Sequence, residues 1–182
     1  MLWLNRGYMA ATAAALLVAA CGFTPVYAPG GTGSALYGAV TVQAPETLGA
    51  NEDSDAYFLV QNLETRLGRS AAGDYGLDLK LRTRSEGQAI TADNEITRYS
   101  IVGEAAYVLT RKSDGAIVAS GDVENFTGYS ATGTTVETLA GERDAHRRLM
   151  VILADQITTE LLSTANLTAG QATAVQTVPV SE

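Results

Sequence analysis

The chain has 182 residues, 46% of them hydrophobic, with 12 Lys and Arg against 20 Asp and Glu and a formal charge of −8. That length supports one domain with its own core and is short for two. The acidic balance disfavours non-specific nucleic-acid binding, while a single cysteine (Cys21) and a single histidine (His146) exclude an internal disulfide and a His/Cys metal cluster.

Residues 1–20 read as a targeting segment. Arg6 supplies a positive start, and the stretch from Met9 to Ala20 is mainly Ala, Leu and Val. It is shorter than the roughly 20 apolar residues that a membrane span needs. It ends in Val18-Ala19-Ala20-Cys21. An apolar residue, two small ones and a cysteine form the pattern that a bacterial lipoprotein signal peptidase accepts. Val18, Ala19 and Ala20 are therefore the expected recognition residues and Cys21 the expected lipidation site, with the chain cut before it and the new amine acylated in turn. Removing 20 of 182 residues leaves 162, and without Arg6 the charge becomes 11 basic against 20 acidic, or −9. Burial of acyl chains at about 0.8 kcal/mol per CH₂ makes one chain a marginal anchor and several a durable one.

Residues 21–35 read as a lipidated tether, because Pro25, Pro29, Gly30, Gly31 and Gly33 argue against regular structure. Phe23 and Tyr27 are too apolar for a mere spacer and are expected to dock on the domain or sit among lipid headgroups. The domain proper is expected over 36–165. Val40, Val42 and Ala44 alternate with polar residues in a strand over 37–44 closed by Pro45. Cap candidates at 51–55 then precede Phe58, Leu59, Leu63 and Leu67 at helical spacing, which predicts a helix over 53–67.

Tyr75, Leu77, Leu79 and Leu81 alternate with polar residues in a second strand. The third places Tyr99, Ile101, Gly103, Ala105, Tyr107 and Leu109 on one face, and the fourth runs through Ile117, Ala119, Gly121 and Val123. Arg111-Lys112-Ser113-Asp114-Gly115 forms a hairpin turn between the last two, with Leu109 expected opposite Ile117 and Tyr107 opposite Ala119. Residues 127–138 look like a polar loop. Ala145, Leu149, Leu153, Ile157 and Leu161 then recur every four residues, predicting a helix over 136–163. The remainder, 166–182, is Thr- and Ala-rich and expected to be disordered. The order β-α-β-β-β-α predicts an α+β two-layer sandwich of two helices on one face of a four-stranded mixed sheet.

The motif Cys21-Gly22-Phe23-Thr24-Pro25-Val26-Tyr27, this element order, and a Tyr129 loop leading into Arg143-Asp144-Ala145-His146-Arg147-Arg148-Leu149 together resemble the LPS-assembly lipoprotein LptE (RlpB) family. The resemblance implies a non-enzymatic protein without cofactors, tethered to the periplasmic face of the outer membrane. It implies a plug inside the LptD β-barrel that helps to assemble that barrel, supports lipopolysaccharide insertion and binds lipopolysaccharide. Gly22 after the acylated cysteine is compatible with outer-membrane sorting.

Lipopolysaccharide phosphates call for converging Arg or Lys side chains. If the strand ending at Arg84 pairs with one starting at Arg98, the two arginines face each other, and like charges so placed require an anion or carboxylate between them. Arg82, Arg84 and Arg98 are thus candidate lipopolysaccharide contacts, with Glu86, Asp93 and Glu95 as alternative neutralisers. Arg111 and Lys112 form a second candidate at the opposite tip. No GxSxG, HExxH or phosphate-cradling glycine loop occurs, which argues against a periplasmic enzyme, and a structural or surface role is the default for His146. An auxiliary lipoprotein subunit of a lipid-transport ABC system is the alternative, separated from the first reading by its partner.

Overall fold

The structure, a computed structural model, describes residues 25–48, 52–90 and 95–167. The expected signal segment, Val18, Ala19, Ala20, Cys21, Asp93 and most of the expected disordered tail lie outside the described residues. Eight elements follow in order: helix α1 (Thr32–Leu36), strands β1 (Val40–Val42) and β2 (Glu46–Leu48), helix α2 (Glu52–Leu67), strands β3 (Tyr75–Ile90), β4 (Ile96–Arg111) and β5 (Ile117–Ser130), and helix α3 (Thr135–Thr164).

β3, β4 and β5 form an antiparallel meander, and β1 lies parallel to β3 at its other edge. The expected first strand is split. Pairing with β3 stops after Val42 and resumes parallel at Glu46, with Pro45 in the gap, so β1 and β2 are two pieces of one edge. Proline has no N–H to give to a ladder, and sheets confine it to edges and irregular points. The four lanes of a mixed sheet carry both long helices on one face, giving the α+β two-layer arrangement.

Binary pattern explains the layering. Leu77, Leu79 and Leu81 of β3, Ile101, Ala105, Tyr107 and Leu109 of β4, and Ala119 and Val123 of β5 are all buried. They meet Leu59, Leu63 and Leu67 of α2 and Ala145, Leu149, Leu153, Ile157 and Leu161 of α3. Two glycines in this face set the distance between layers. A Cβ on Gly103 would come within 2.9 Å of Leu149 Cδ2, and one on Gly121 within 2.7 Å of the Tyr107 hydroxyl. α3 is closed at its start by a reciprocal cap: Thr134 Oγ1 accepts from the Glu137 N–H, and Glu137 accepts from the Thr134 N–H. Bonds to the Glu137 carboxyl from the Thr134 N–H and the Thr134 hydroxyl hold it below its usual range.

Four expectations need correction. The tether contains a turn of helix, α1, anchored by the fully buried Leu36 and by Ser34 Oγ donating to Ala28 and Gly31 carbonyls. The strands run further than apolar alternation showed, β3 to Ile90 and β5 to Ser130, so residues 127–130 are strand, not loop. Leu109 pairs with Ala119 and Tyr107 with Gly121, two residues from the expected register. The shift comes from the turn: Gly115 adopts φ 71°, Thr110 pairs with Ile117, and Val118 is the extra residue of a bulge, buried with the core. Last, Arg84 lies opposite Val102, while Arg98 is matched by Ala89 and Ser130, so the two arginines do not face each other.

Candidate interaction surface

The second face of the sheet carries no described helix. Successive side chains on a strand point to opposite faces, so the even-numbered residues of β3, β4 and β5 line it. Asp78, Lys80, Arg82, Arg84 and Glu86 come from β3, Glu104, Ala106 and Val108 from β4, and Asp122, Glu124 and Phe126 from β5. An open trough of about 1030 Å³ on this face is lined by Lys80, Arg82, Glu104, Ala106, Asp122 and Glu124. Phe126 is 66% exposed on the same face, and Val102 is the face's buried apolar residue.

Charge on this face is arranged in rows across the strands. Glu104 and Glu124 are direct cross-strand partners, a placement that is unfavourable without a cation nearby. Arg84 from β3 supplies it, with its guanidinium bonded to Glu104, to Glu86 at 3.0 Å and to Glu124 at 3.4 Å. Hydrogen bonds to Glu86 and Glu104 hold the Arg84 guanidinium above its already high range. The sequence pointed to Glu86 as a neutraliser; Glu104 and Glu124 lie 20 and 40 residues away in the chain and become partners only through the sheet.

The three candidate arginines are spread out. Arg82 is opposite Glu104, Arg84 is held by three carboxylates, and Arg98 lies four residues along β4 from Val102, about 13 Å at the usual strand rise. Arg111, of the second candidate, is buried, bonded to Asp114 at 3.0 Å and to the Leu167 carbonyl, while Lys112 Nζ donates to Thr41 Oγ1 at 2.8 Å. Both serve the closure of that end of the sheet.

His146 has a structural place. Its Nδ1 stands 2.8 and 3.0 Å from the two carboxylate oxygens of Asp55, both residues are buried, and Thr83 Oγ1 donates to the same carboxylate at 3.4 Å. The group ties α2, α3 and β3 together. Towards the other end of α3, Tyr107 donates to Glu160 at 2.9 Å across the β4–α3 interface, and burial pushes its phenol up to about 12 with help from that bond. Among the described residues no three His, Cys, Asp or Glu side chains converge in a way that could hold a metal, and no helix is long and apolar enough to cross a membrane.

The fold has relatives among solved structures. A putative lipoprotein from Caulobacter crescentus superposes with a TM-score of 0.56 at 17% identity, covering 72% of this chain and 92% of that one. The rare lipoprotein B from Shewanella oneidensis gives 0.51 at 11% identity, covering 69% and 94%. No curated protein sequence matches the chain. A family model described as LptE, lipopolysaccharide assembly, matches residues 37–161, from the start of β1 to the last buried turn of α3. The chain belongs to the LptE lipopolysaccharide-assembly family.

Proposed function

We propose that this chain is a non-enzymatic outer-membrane lipoprotein, acylated at Cys21 after cleavage behind Val18-Ala19-Ala20, that seats inside an LptD-type β-barrel and supports lipopolysaccharide insertion. The observation that carries this reading is the sheet face that no described helix covers, coupled to a family match that spans the sheet and both long helices. The lumen of a large barrel is polar. A face whose charges are largely satisfied among themselves, as Arg84 is by Glu86, Glu104 and Glu124, can enter such a lumen at a smaller desolvation cost than unpaired charges would. Ala106 and Phe126 add apolar contact area between the charged rows.

Lipopolysaccharide phosphates have Arg82, Arg84 and Arg98 as candidate contacts. An anion at Arg84 must displace carboxylates, so Arg82 and Arg98 are the more accessible contacts, each for a separate phosphate because they lie about 20 Å apart along the sheet. Two experiments test the proposal. Recovery of a large β-barrel with the purified protein, and defective surface lipopolysaccharide and barrel maturation on depletion, are the expected results. Recovery with a periplasmic lipid shuttle in place of a barrel would overturn it. For the arginines, Arg82→Glu with Arg98→Glu is expected to weaken lipopolysaccharide binding, and unchanged binding removes them.

A further inference from the structure

Between Arg6 and Glu46 the sequence contains no Asp, Glu, Lys, Arg or His, although the whole chain carries 32 Asp, Glu, Lys and Arg residues. The described part of that uncharged run is folded, and it occupies one end of the domain. Gly33 N–H donates to the Val26 carbonyl at 2.9 Å, the Tyr27 ring lies against Gly33, and Gly38 N–H donates to Leu67, the last residue of α2. The α3 C-terminus is at this end too, where Asn166 N–H donates to the Val118 carbonyl. Val26 and Tyr27 line a groove with Arg66, Asp155 and Leu162. Yet Tyr27 and Tyr37 are 65% and 63% exposed, and Val26, next to Tyr27 in the chain, is exposed as well.

We infer that Val26, Tyr27 and Tyr37 form a seat on the lipid surface, so that, in the acylated chain outside a barrel, this end of the domain rests on the bilayer to which Cys21 is attached. The inference rests on acylation at Cys21. Three residues separate Cys21 from Pro25, four Cα steps with a reach of at most about 14 Å, so the anchored chain has no length with which to hold this end away from the membrane. Tyrosine presents an apolar ring and a polar hydroxyl and is enriched at headgroup depth. Bacterial bilayers carry anionic lipids, which repel an acidic surface. The seat itself is uncharged, and charged groups beside it are paired, Arg66 with Asp155 and Arg69 with Glu64. The opposite end, with the start of α3 and the β5–α3 connection, then points away from the lipid.

The test uses the mature acylated protein, its cleavage and modification checked by mass spectrometry, in vesicles of phosphatidylethanolamine and phosphatidylglycerol. The one tryptophan, Trp3, leaves with the signal segment, so Tyr27→Trp, Tyr37→Trp and, at the far end, Val136→Trp each report from a single position. Quenching at positions 27 and 37 by lipids brominated about 5–10 Å below the surface, without quenching at 136, is the expected result. Acylated, vesicle-bound protein with no quenching at 27 and 37 overturns the seat and leaves the anchor standing. Equal quenching at all three positions overturns the seat as well. A bare thiol at Cys21 and no vesicle binding overturn the anchor, and the seat with it.

Discussion

The two faces of the sheet are built by opposite means, and β4 shows both on alternate residues. Inward, Ile101, Ala105, Tyr107 and Leu109 fill volume against the helices. Outward, Glu104, Ala106 and Val108 share a face with Arg84, Glu124 and Phe126, where charges cancel in rows and little is buried. One face therefore stabilises the domain through packing, and the other is free to be shaped by whatever it touches. The cost of a substitution should accordingly divide by residue parity along the strands.

The largest effect is expected at the centre of the covered face. Leu153→Ala removes fully buried volume at the contact with Gly103 and should cost about 2–5 kcal/mol in chemical denaturation. Asp55→Ala withdraws the carboxylate that both His146 and Thr83 address. A loss of about 1–3 kcal/mol is expected by the same measurement, and a loss below that range would show His146 to be indifferent to its partner.

Tyr107 sharpens the comparison by pH. Its ordinary pKa is 10.0, and the folded value is raised to about 12, first by burial and then by Glu160. The folded state thus favours the neutral phenol, contributing stability that is complete below pH 10 and lost as pH climbs from 10 towards 12. Unfolding free energy measured across that window should fall in the native chain and fall less in Tyr107→Phe. The smallest effect belongs to the bare face. Phe126→Ser should change stability by no more than about 0.5 kcal/mol while lowering recovery of a β-barrel partner. A large destabilisation there would mean that this face also carries the fold.

What the sequence disclosed follows the same division. The stripes of α2 and α3 were legible because burial imposes a 3.6-residue period, and Gly103 and Gly121 fell on the correct face by alternation alone. The parity of the β4–β5 pairing was legible too, since one face is buried, but its register depended on a bulge at Val118 that no pattern announces. β3 beyond Arg82 lost its apolar alternation as its residues became exposed, so its length was underestimated. α1 was missed because five residues, Thr32–Leu36, are too few to show a period. The cluster around Arg84 and the pairing of Asp55 with His146, 91 residues apart, are products of topology. Residue types named the participants, and only the sheet and the helices could introduce them to one another.

The two edges of the sheet are also unequal, and this sets how copies of the chain can join. One edge is cut into three-residue pieces around Pro45, which blunts it as a template. The other is β5, fourteen residues long and, among the described residues, paired with β4 alone. A sheet with a single receptive side can be extended once and then presents no further side to a newcomer. Self-association through strands would therefore favour two chains joined β5 edge to β5 edge.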